Sequence, residues 1–520
     1  MMEILKVQGD EVSLLFSPLD GGVSVGQPYL ITEASGGAGV VVQILSHQTV
    51  QYPGLETELL QRTVESQLVR ATAVVDRELG LEALKTMKSA TAKIRAEVDA
   101  QGRWRPWRGL IPSRTVQVRK LESEELLGAI LPPATLPLPA FFQCEGTPIH
   151  ISGPSLGLTS VIAGDKGSGK SVFAKHLAFN IAQSGVPVVV FDANSEYGGL
   201  PGANALRLGE NWWPTLSELG PQTLVTLVRS LMPFAPSSPS EAVFEARLPT
   251  LFRGVASGDG PPLDLRWLRE QKWGGGEYVE RAITSRLENL DRMGLFWNQE
   301  RGGTPATLDS FYEAAVSGDV LVIDLSHLSH SLQKAVSRAM THRLEQIAER
   351  EDRTGRRAWP TVFFEEAHLY VSEAGILSLC TLARHKGIAS VFVTNSPSAL
   401  PDYVLRSADN LVVMRINHRD DLRTLGKAAA IDSDTLEALT LRTPERHALI
   451  SGRMTSGYPL MVAVDPLPEM FGRGGRTRSP WDRFVGGATA EISAVAPPKR
   501  RRSTGEVSDV GHGGSSQSRR

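Results

Sequence analysis

The stretch Gly164-Asp-Lys-Gly-Ser-Gly-Lys-Ser171 decides the fold of this 520-residue chain. It matches G-x-x-x-x-G-K-S, the phosphate-binding loop of nucleotide-binding proteins. Its glycines let the backbone turn tightly and present N–H groups to phosphate oxygens. The apolar run 158–163 before the loop predicts a strand, and apolar residues at helical spacing over 171–183 predict a helix after it. This context favours a nucleotide site over an ordinary glycine-rich turn.

The loop residues have separate predicted roles in this site. Lys170 is expected to contact the β- and γ-phosphates, and Ser171 is expected to hold Mg²⁺. The helix that follows adds the dipole of its N-terminus. The predicted cofactors are therefore ATP and Mg²⁺. The predicted binding set is Gly164, Asp165, Lys166, Gly167, Ser168, Gly169, Lys170, Ser171 and Val172.

Composition places the chain among ordinary soluble proteins, with 41% hydrophobic and 22% charged residues. The net charge is −2, so any contact with nucleic acid has to come from local patches. The two cysteines, Cys144 and Cys380, lie far apart without a Cys/His cluster, which predicts a reducing compartment and no zinc site. Neither a signal-peptide pattern nor an apolar run of about 20 residues is found. We therefore expect a cytoplasmic protein without a membrane span.

Residues 1–135 are predicted to form a separate N-terminal domain. Short apolar runs alternate with turns over residues 1–50, which is typical of a small β-barrel. Residues 55–98 are predicted to be largely helical. The stretch Arg103-Trp-Arg-Pro-Trp-Arg108 interleaves cations with aromatic residues. It either grips a nucleic-acid strand or anchors a domain junction through its tryptophans.

Residues 136–470 are predicted to form an α/β core. Buried strands alternate with helices, which predicts a parallel, doubly wound sheet. Residues 200–310 interrupt this rhythm and predict a helical insertion. The remaining segment, 471–520, is rich in Gly, Ser and Pro and predicts a disordered basic tail, whose Lys499-Arg-Arg-Arg502 either adds DNA affinity or only solubility. The core strands are expected at 186–192, 320–324, 361–366, 388–394 and 410–414.

Two adjacent carboxylates, Glu365 and Glu366, follow an apolar strand and are the predicted catalytic acids. Nucleotide hydrolysis needs one carboxylate near the metal and one group that activates the attacking water. The alternative is an acidic first turn of a helix. Asp324, at the end of another predicted strand, is the rival, but it has no second carboxylate beside it. We therefore predict that the pair Glu365 and Glu366 supplies both groups, with Glu365 as a metal ligand.

Two further residues are predicted to complete the catalytic set. Asn395 follows the strand 388–394, where an amide can sense the γ-phosphate; the alternative is a simple turn before Pro397. Arg384 precedes the same strand. It is predicted to enter a neighbouring subunit's site as an arginine finger, and the alternative is a cation at a helix C-terminus.

Taken together, these residues resemble the HerA family of hexameric DNA translocases, relatives of FtsK. The resemblance implies a RecA-like P-loop ATPase core with an N-terminal barrel and a helical insertion. It also implies Lys170 and Ser171 on ATP·Mg, Glu366 as base and Arg384 as the finger in trans. The family usually has Gln where Asn395 stands. The resemblance rests on the loop 164–171, Asp192-Ala-Asn-Ser-Glu-Tyr197, Glu365-Glu-Ala-His368, Arg384-His-Lys-Gly-Ile388 and Val393-Thr-Asn-Ser-Pro-Ser398.

The function implied by this resemblance is an ATP-driven motor that moves along double-stranded DNA as a homo-hexamer. No nuclease motif is found in the sequence, so its partner is expected to be a separate nuclease of the NurA type, or an effector in phage defence. A conjugative DNA pump is an alternative within the motors. A regulatory nucleotide switch that does not translocate is an alternative of another class.

Overall fold

The structure is a computed structural model. Apart from Phe471, which is buried, the predicted tail lies outside the residues that the structure describes, as do Arg384, Cys380 and the predicted helical segment up to residue 87. The described ranges are 3–16, 22–33, 37–49, 88–111, 116–133, 142–157, 159–256, 263–301, 306–314, 318–354, 360–371, 388–428, 431–441, 443–468 and 471.

The N-terminal part is a seven-stranded antiparallel sheet with the order β1-β2-β5-β4-β3-β7, and β6 pairs with β5. Cα atoms of the two edge strands, β1 and β7, approach within 8 Å, so the sheet curls around one apolar core. The predicted strands near residues 12, 29 and 39 are all present. The strands are β1 Glu3–Gln8, β2 Glu11–Phe16, β3 Pro28–Glu33, β4 Gly39–Thr49, β5 Lys88–Val98, β6 Trp104–Arg105 and β7 Val116–Lys120.

The helical prediction for 55–98 is wrong over Lys88–Val98, which forms strand β5. Ala90, Ala92 and Ile94 are buried, whereas Thr91 and Lys93 between them are not fully buried, and this is the two-residue period of a strand. Alanine has the highest helix propensity and hid this alternation. Pairing with β2 and β4 on both sides decides the conformation.

The tryptophan–arginine stretch forms part of the sheet edge. Arg103 and Arg105 both form ion pairs with Asp99, at 3.0 and 2.8 Å. The indole N–H of Trp107 donates to the carbonyl of Leu110 at 2.9 Å. Because these side chains have partners within the protein, we favour the interpretation that the stretch anchors a domain junction over the interpretation that it binds nucleic acid.

The second sheet has eleven strands in the order β12-β13-β11-β14-β15-β10-β16-β17-β18-β8-β9. The prediction of a parallel sheet holds from β12 to β16, but β16, β17, β18, β8 and β9 pair antiparallel, so the sheet is mixed. Of these antiparallel pairs, β17 with β18 and β8 with β9 are joined by short connections, as antiparallel neighbours allow. The strands are β8 Phe142–Cys144, β9 Thr147–Pro148, β10 Thr159–Ala163, β11 Val188–Asp192, β12 Ala203–Arg207, β13 Val320–Asp324, β14 Thr361–Phe364, β15 Ala389–Thr394, β16 Asn410–Val413, β17 His447–Gly452 and β18 Leu460–Val464.

Helices cover both faces of this sheet, as the continuous apolar strands require. The helix after the phosphate-binding loop packs on one face, and the long helix after β13 packs on the other. The segment 200–310 is mainly helical as predicted, but it begins with the edge strand β12. The helices are α1 Ser123–Ile130, α2 Lys170–Gln183, α3 Leu216–Leu219, α4 Pro221–Leu231, α5 Pro239–Ala256, α6 Leu265–Glu270, α7 Glu277–Arg292, α8 Leu308–Ala314, α9 His330–Thr354, α10 Asp402–Arg406, α11 Arg419–Leu425 and α12 Ser433–Thr440.

Candidate active site

The glycine-rich loop joins β10, in the middle of the second sheet, to α2. Gly164 has no room for a side chain, because a Cβ there would lie 2.7 Å from Ser168 Oγ and 2.9 Å from Met414 Cβ. Gly167 and Gly169 have φ angles of +80° and +110°, which side-chain-bearing residues rarely adopt. The loop therefore needs glycine at each of these three positions.

The chain that follows β16 holds this loop in place. The Asp165 N–H donates to the Arg415 carbonyl at 2.8 Å. The backbone N–H and the side-chain amide of Asn417 both donate to Asp165 Oδ2, at 3.0 and 2.6 Å. From the next strand, the Arg446 N–H donates to the Ser168 carbonyl at 3.1 Å. Sequence analysis did not identify these anchoring residues, which lie about 250 positions away.

Lys170 is buried at the end of the loop, with Nζ donating to the Asp165 carbonyl at 3.0 Å. Burial lowers the pKa of this lysine, and the charges of Glu366 and Glu365 oppose that shift. Ser168 Oγ is also buried, without a hydrogen-bond partner among the described residues. A buried ammonium group, an unpaired hydroxyl and a glycine cradle together fit the phosphates of a nucleotide.

Glu365 lies directly after β14 and contacts α2. Ser171 Oγ donates to Glu365 Oε1 at 3.3 Å, and the Tyr197 hydroxyl donates to Oε2 at 2.7 Å. Burial raises the pKa of Glu365 to about 8; the Tyr197 hydrogen bond lowers it, whereas the charges of Glu196, Glu366 and Asp192 raise it. A hydroxyl beside a carboxylate offers the oxygen ligands that Mg²⁺ prefers, and a divalent cation there would favour the ionised carboxylate.

Glu366 turns away from Glu365 because its backbone is left-handed, with φ of +50°. The Asn395 side-chain amide donates to Glu366 Oε1 at 3.3 Å. His368 Nδ1 lies 3.5 Å from Glu366 Oε2 and 3.1 Å from Thr394 Oγ1. The residues after β14 and β15 therefore hold this carboxylate in one orientation, which is what a general base requires.

Asp324, the rival carboxylate, has partners of its own at the end of β13. Arg207 Nε lies 3.2 Å from its Oδ2, and the Ser195 hydroxyl donates to the same oxygen at 2.9 Å. Three strands separate β13 from β10, a distance on the order of 19 Å. The structure therefore brings Glu365, and not Asp324, next to Ser171.

Two buried charged residues near this site, Asp192 and Lys175, had no role assigned to them in the sequence analysis. Asp192 Oδ2 accepts the Tyr197 N–H at 2.8 Å, and burial raises the pKa of Asp192. Lys175 is fully buried, with Nζ 4.0 Å from Glu196 Oε2 and 5.5 Å from the centre of the Tyr197 ring. The stretch Asp192–Tyr197 was visible as a motif. The signal for Lys175 was its position one helical turn after Ser171, on the same side of α2.

Two properties of the described residues concern metals and membranes. They contain no cluster of three or more His, Cys, Asp or Glu side chains placed to hold a metal ion. Within the same ranges, no helix has both the length and the apolar character needed to cross a bilayer.

Comparison with known proteins agrees with this geometry. Residues 156–235, which include the loop and α2, match the family model described as "Helicase HerA, central domain". No curated protein matches the chain by sequence.

Among solved structures, VirB4 of Thermoanaerobacter pseudethanolicus has a TM-score of 0.51 and 16% identity, with 66% of this chain and 99% of that protein covered. The plasmid coupling protein TrwB in complex with ADP and Mg²⁺ has a TM-score of 0.45 and 15% identity, with coverage of 69% and 94%. The genome-packaging NTPase B204 from Sulfolobus turreted icosahedral virus 2 has a TM-score of 0.31 and 13% identity, with coverage of 60% and 98%.

The predicted resemblance to the HerA family is confirmed over the matched residues, and VirB4 shares the overall α/β fold. The chain therefore carries a P-loop nucleotide-binding site, and Lys170, Ser171 and Glu365 fit ATP and Mg²⁺.

Proposed function

We propose that this chain is the subunit of a homo-hexameric ring that hydrolyses ATP to move along double-stranded DNA. The observation that carries the proposal is the convergence of four predicted side chains at one edge of the sheet. Ser171 contacts Glu365, Asn395 contacts Glu366, and both pairs lie beside the loop that carries Lys170. This arrangement supplies a phosphate cradle, a metal ligand pair and an oriented base together.

In this proposal each residue acts at a defined atom. Lys170 Nζ leaves the Asp165 carbonyl and binds the β- and γ-phosphate oxygens, while the loop N–H groups bind the others. Ser171 and Glu365 would hold Mg²⁺, which neutralises charge on the phosphates when bound. Glu366 accepts the proton of the attacking water, and Asn395 keeps the carboxylate pointed toward it.

The proposal extends to parts of the chain that lie outside this site. Residues 1–135 form an N-terminal domain whose sheet is a small β-barrel. Residues 136–470 form the RecA-like core with its insertion at 200–310. The protein works in the cytoplasm beside a separate nuclease of the NurA type, in DNA-end processing, or beside an effector in phage defence.

Arg384 is proposed as an arginine finger that completes the ATP site of the neighbouring subunit, so hydrolysis requires the ring. In the sequence Arg384 stands five residues before the start of β15, and β15 pairs with the loop strand β10. A guanidinium contacts two phosphate oxygens at once and stays charged. Such fingers contribute roughly 10³- to 10⁵-fold in rate.

The direct test measures ATP hydrolysis with and without duplex DNA. A motor hydrolyses ATP faster when duplex DNA is added, whereas a regulatory switch does not respond. Lys170→Ala should abolish turnover because the phosphates lose their buried cation. Wild-type turnover in this variant would refute the site, and a rate insensitive to DNA would refute the motor.

The ring is tested by mixing two inactive variants, Arg384→Ala and Lys170→Ala. Some interfaces in mixed rings then place an intact Lys170 opposite an intact Arg384, so hydrolysis should return after subunit exchange. If mixed rings form but stay inactive, Arg384 does not act in a neighbouring subunit's site. If the protein stays monomeric with ATP and DNA, the proposal of a ring is refuted.

A conjugative DNA pump is the second candidate, and the shared fold with VirB4 favours it. Membrane fractionation of the native host separates the two. A pump working in an envelope complex would sediment with membranes, whereas the proposed cytoplasmic motor stays in the soluble fraction.

A further inference from the structure

The long helix α9 exposes a row of basic side chains along one line. His330, Lys334, Arg338 and His342 are all exposed and stand four residues apart, and together they are called the α9 stripe. Each step advances by about 6 Å along the helix axis. The stripe therefore follows one inclined i, i+4 ridge of the helix and spans about 18 Å along the helix axis.

The two strongest cations of the stripe are not neutralised by the described part of the chain. Lys334 and Arg338 have no ion-pair partner among the described residues. The contrast is with the same helix one turn later, where Arg343 and Arg350 both pair with Asp309, at 2.7 and 2.8 Å. The described residues thus provide an acid for the neighbouring arginines but none for Lys334 and Arg338.

This arrangement works against the stability of the helix. Like charges four residues apart repel each other on a helix surface. Cations near the N-terminus also oppose the helix dipole, and no acid occurs in α9 before Glu345. The repulsion between these cations is relieved when an external polyanion binds along the helix.

One end of the stripe borders a cleft of about 200 Å³ that suits a phosphate group. Arg338 and His342 line one wall, and the N-terminus of α4 lines the other through Gln222 and Thr223. Gly220 precedes α4 and supplies no side-chain cap, so first-turn N–H groups remain available to an anion.

Glu218 is the one acidic residue among the described residues that line this cleft. The carboxyl is buried, and its Oε1 accepts the Leu308 N–H. Burial raises the pKa of Glu218 to about 7, which weakens its charge at neutral pH. The exposed part of the cleft is therefore dominated by Arg338, His342 and the helix N-terminus.

We propose that the α9 stripe binds the phosphate backbone of one strand of duplex DNA, with one phosphate seated in the cleft beside Arg338. The identification of DNA as the polyanion rests on the proposed function. A DNA strand carries one phosphate per about 3.4 Å of helix axis, so the stripe spans about five phosphates. Contacts to the backbone carry no sequence information, which suits a protein that moves along any duplex.

The test compares two double variants that remove the same charge from different helices. Lys334→Gln with Arg338→Gln neutralises the stripe. Arg281→Gln with Arg292→Gln is the matched control, since both of these arginines lie exposed on α7 and pair with glutamates four residues away. Binding of a fluorescein-labelled duplex is followed by anisotropy over a range of salt concentrations, with ATPase rates and oligomer size measured in parallel.

The stripe variant should bind duplex DNA roughly tenfold more weakly than wild type, and its slope of log K against log salt should be shallower by about 2. The control should match wild type in both. ATPase without DNA and oligomer size should be unchanged in both variants. The Tm of the stripe variant should not fall, because removing the repulsion relieves the helix.

Three outcomes would overturn the proposal. Equal affinity and salt slope in wild type and stripe variant would overturn it while leaving the motor intact. Loss of oligomers in the stripe variant alone would show that the stripe contacts an acidic surface of a second copy instead. A wild-type protein that does not bind duplex DNA would overturn both this inference and the proposed function.

Discussion

Two regions hold clusters of partly or fully buried charged side chains, the carboxyl edge of the second sheet and the contact between the two sheets, and the arrangement of charge differs between them. At the carboxyl edge, Asp192, Glu365 and Glu366 lie close together, and burial raises the pKa of the first two. At the contact between the sheets, Lys93 and Arg95 of β5 meet Asp432, which caps α12.

In the contact between the sheets every charge has an opposite partner. Lys93 Nζ lies 3.0 Å from Asp432 Oδ1, and Arg95 donates to Asp432 at 3.4 Å and to Thr435 Oγ1 at 2.7 Å. Burial alone would raise the pKa of Asp432, but hydrogen bonds from Thr435 and Lys93 outweigh it and lower it to about 2. Burial lowers the pKa of Arg95, yet a guanidinium stays charged at any physiological pH.

The difference separates a contact that stabilises the fold from a site that performs chemistry. Paired charges in the first case hold two sheets together. At the carboxyl edge, the crowded carboxylates repel one another and lower the stability of the fold as long as no cation is bound. Such a loss of stability is usual for a site that binds a cation. Four predictions test this contrast, and they are ordered from the largest expected effect to the smallest.

Glu366→Gln should lower the hydrolysis rate by about 10²- to 10⁴-fold, because the amide keeps the size of the side chain but accepts no proton. ATP binding should remain, so the variant is expected to accumulate with ATP bound. Asp324→Asn is the control, since Asp324 is already paired with Arg207 and is remote from the loop. If Asp324→Asn stopped hydrolysis and Glu366→Gln did not, Asp324 and not Glu366 would be the general base.

Nucleotide-free protein should lose stability as pH rises from about 4.5 to about 8. The folded state raises the pKa of Glu365 to about 8, so the stabilisation is complete below the unfolded value and is lost as the proton leaves. The expected loss is on the order of 4 kcal/mol in the free energy of unfolding. Urea denaturation across this range checks it, and Glu365→Gln should flatten the profile. A surface variant, Glu288→Gln, that flattens it equally would contradict the assignment.

Asp432→Asn should cost about 1 to 2 kcal/mol in the free energy of unfolding and leave hydrolysis unchanged. Asparagine still caps α12, but Lys93 and Arg95 lose their opposite charge, and the partial exposure of Asp432 limits the loss. Thermal and urea unfolding measure the change. Asp402→Asn, which breaks the exposed pair with Lys427, is the control and should leave stability at the wild-type value. A fall in hydrolysis without loss of stability would reverse the roles of the two regions.

Tyr197→Phe should lower hydrolysis by no more than about tenfold, or about 1 kcal/mol, by removing the hydrogen bond to Glu365 Oε2. Because that bond favours the ionised carboxylate, more Mg²⁺ should be needed for half-maximal rate, and the difference should shrink at high pH. Tyr370→Phe is the matched control, since Tyr370 is equally buried and donates to the Phe191 carbonyl instead. The same Mg²⁺ shift in both variants would mean that Tyr197 acts only through packing.

The sequence was sufficient for most of the second sheet because its strands are long apolar runs next to clear turns. It failed at β5, where alanine, lysine and arginine gave no strong periodic signal, and at β12, which is short and lies within the segment predicted to be helical. It also missed the antiparallel end of the sheet, since strand direction depends on how the chain returns and not on the strand residues themselves.

The candidate site divides in the same way. The loop 164–171 was identifiable because all its functional atoms lie within eight consecutive residues. Glu365 and Glu366 were identifiable as a pair, and Glu365 was predicted at the metal with Ser171, but the sequence carried no signal for the hydrogen bond from Asn395 to Glu366. The two contacts are made by adjacent carboxylates, and the backbone is left-handed at Glu366.

By itself, the sequence determined the phosphate-binding loop, the alternation of strands and helices around it, and the residue types needed for ATP chemistry, because these depend on neighbours in the chain. Only the tertiary structure decided which carboxylate meets Ser171, 194 positions away, and which acid neutralises Arg95, 337 positions away. The physical reason is that burial and charge pairing depend on which surfaces come into contact on folding, and a local sequence pattern does not predict those long-range contacts.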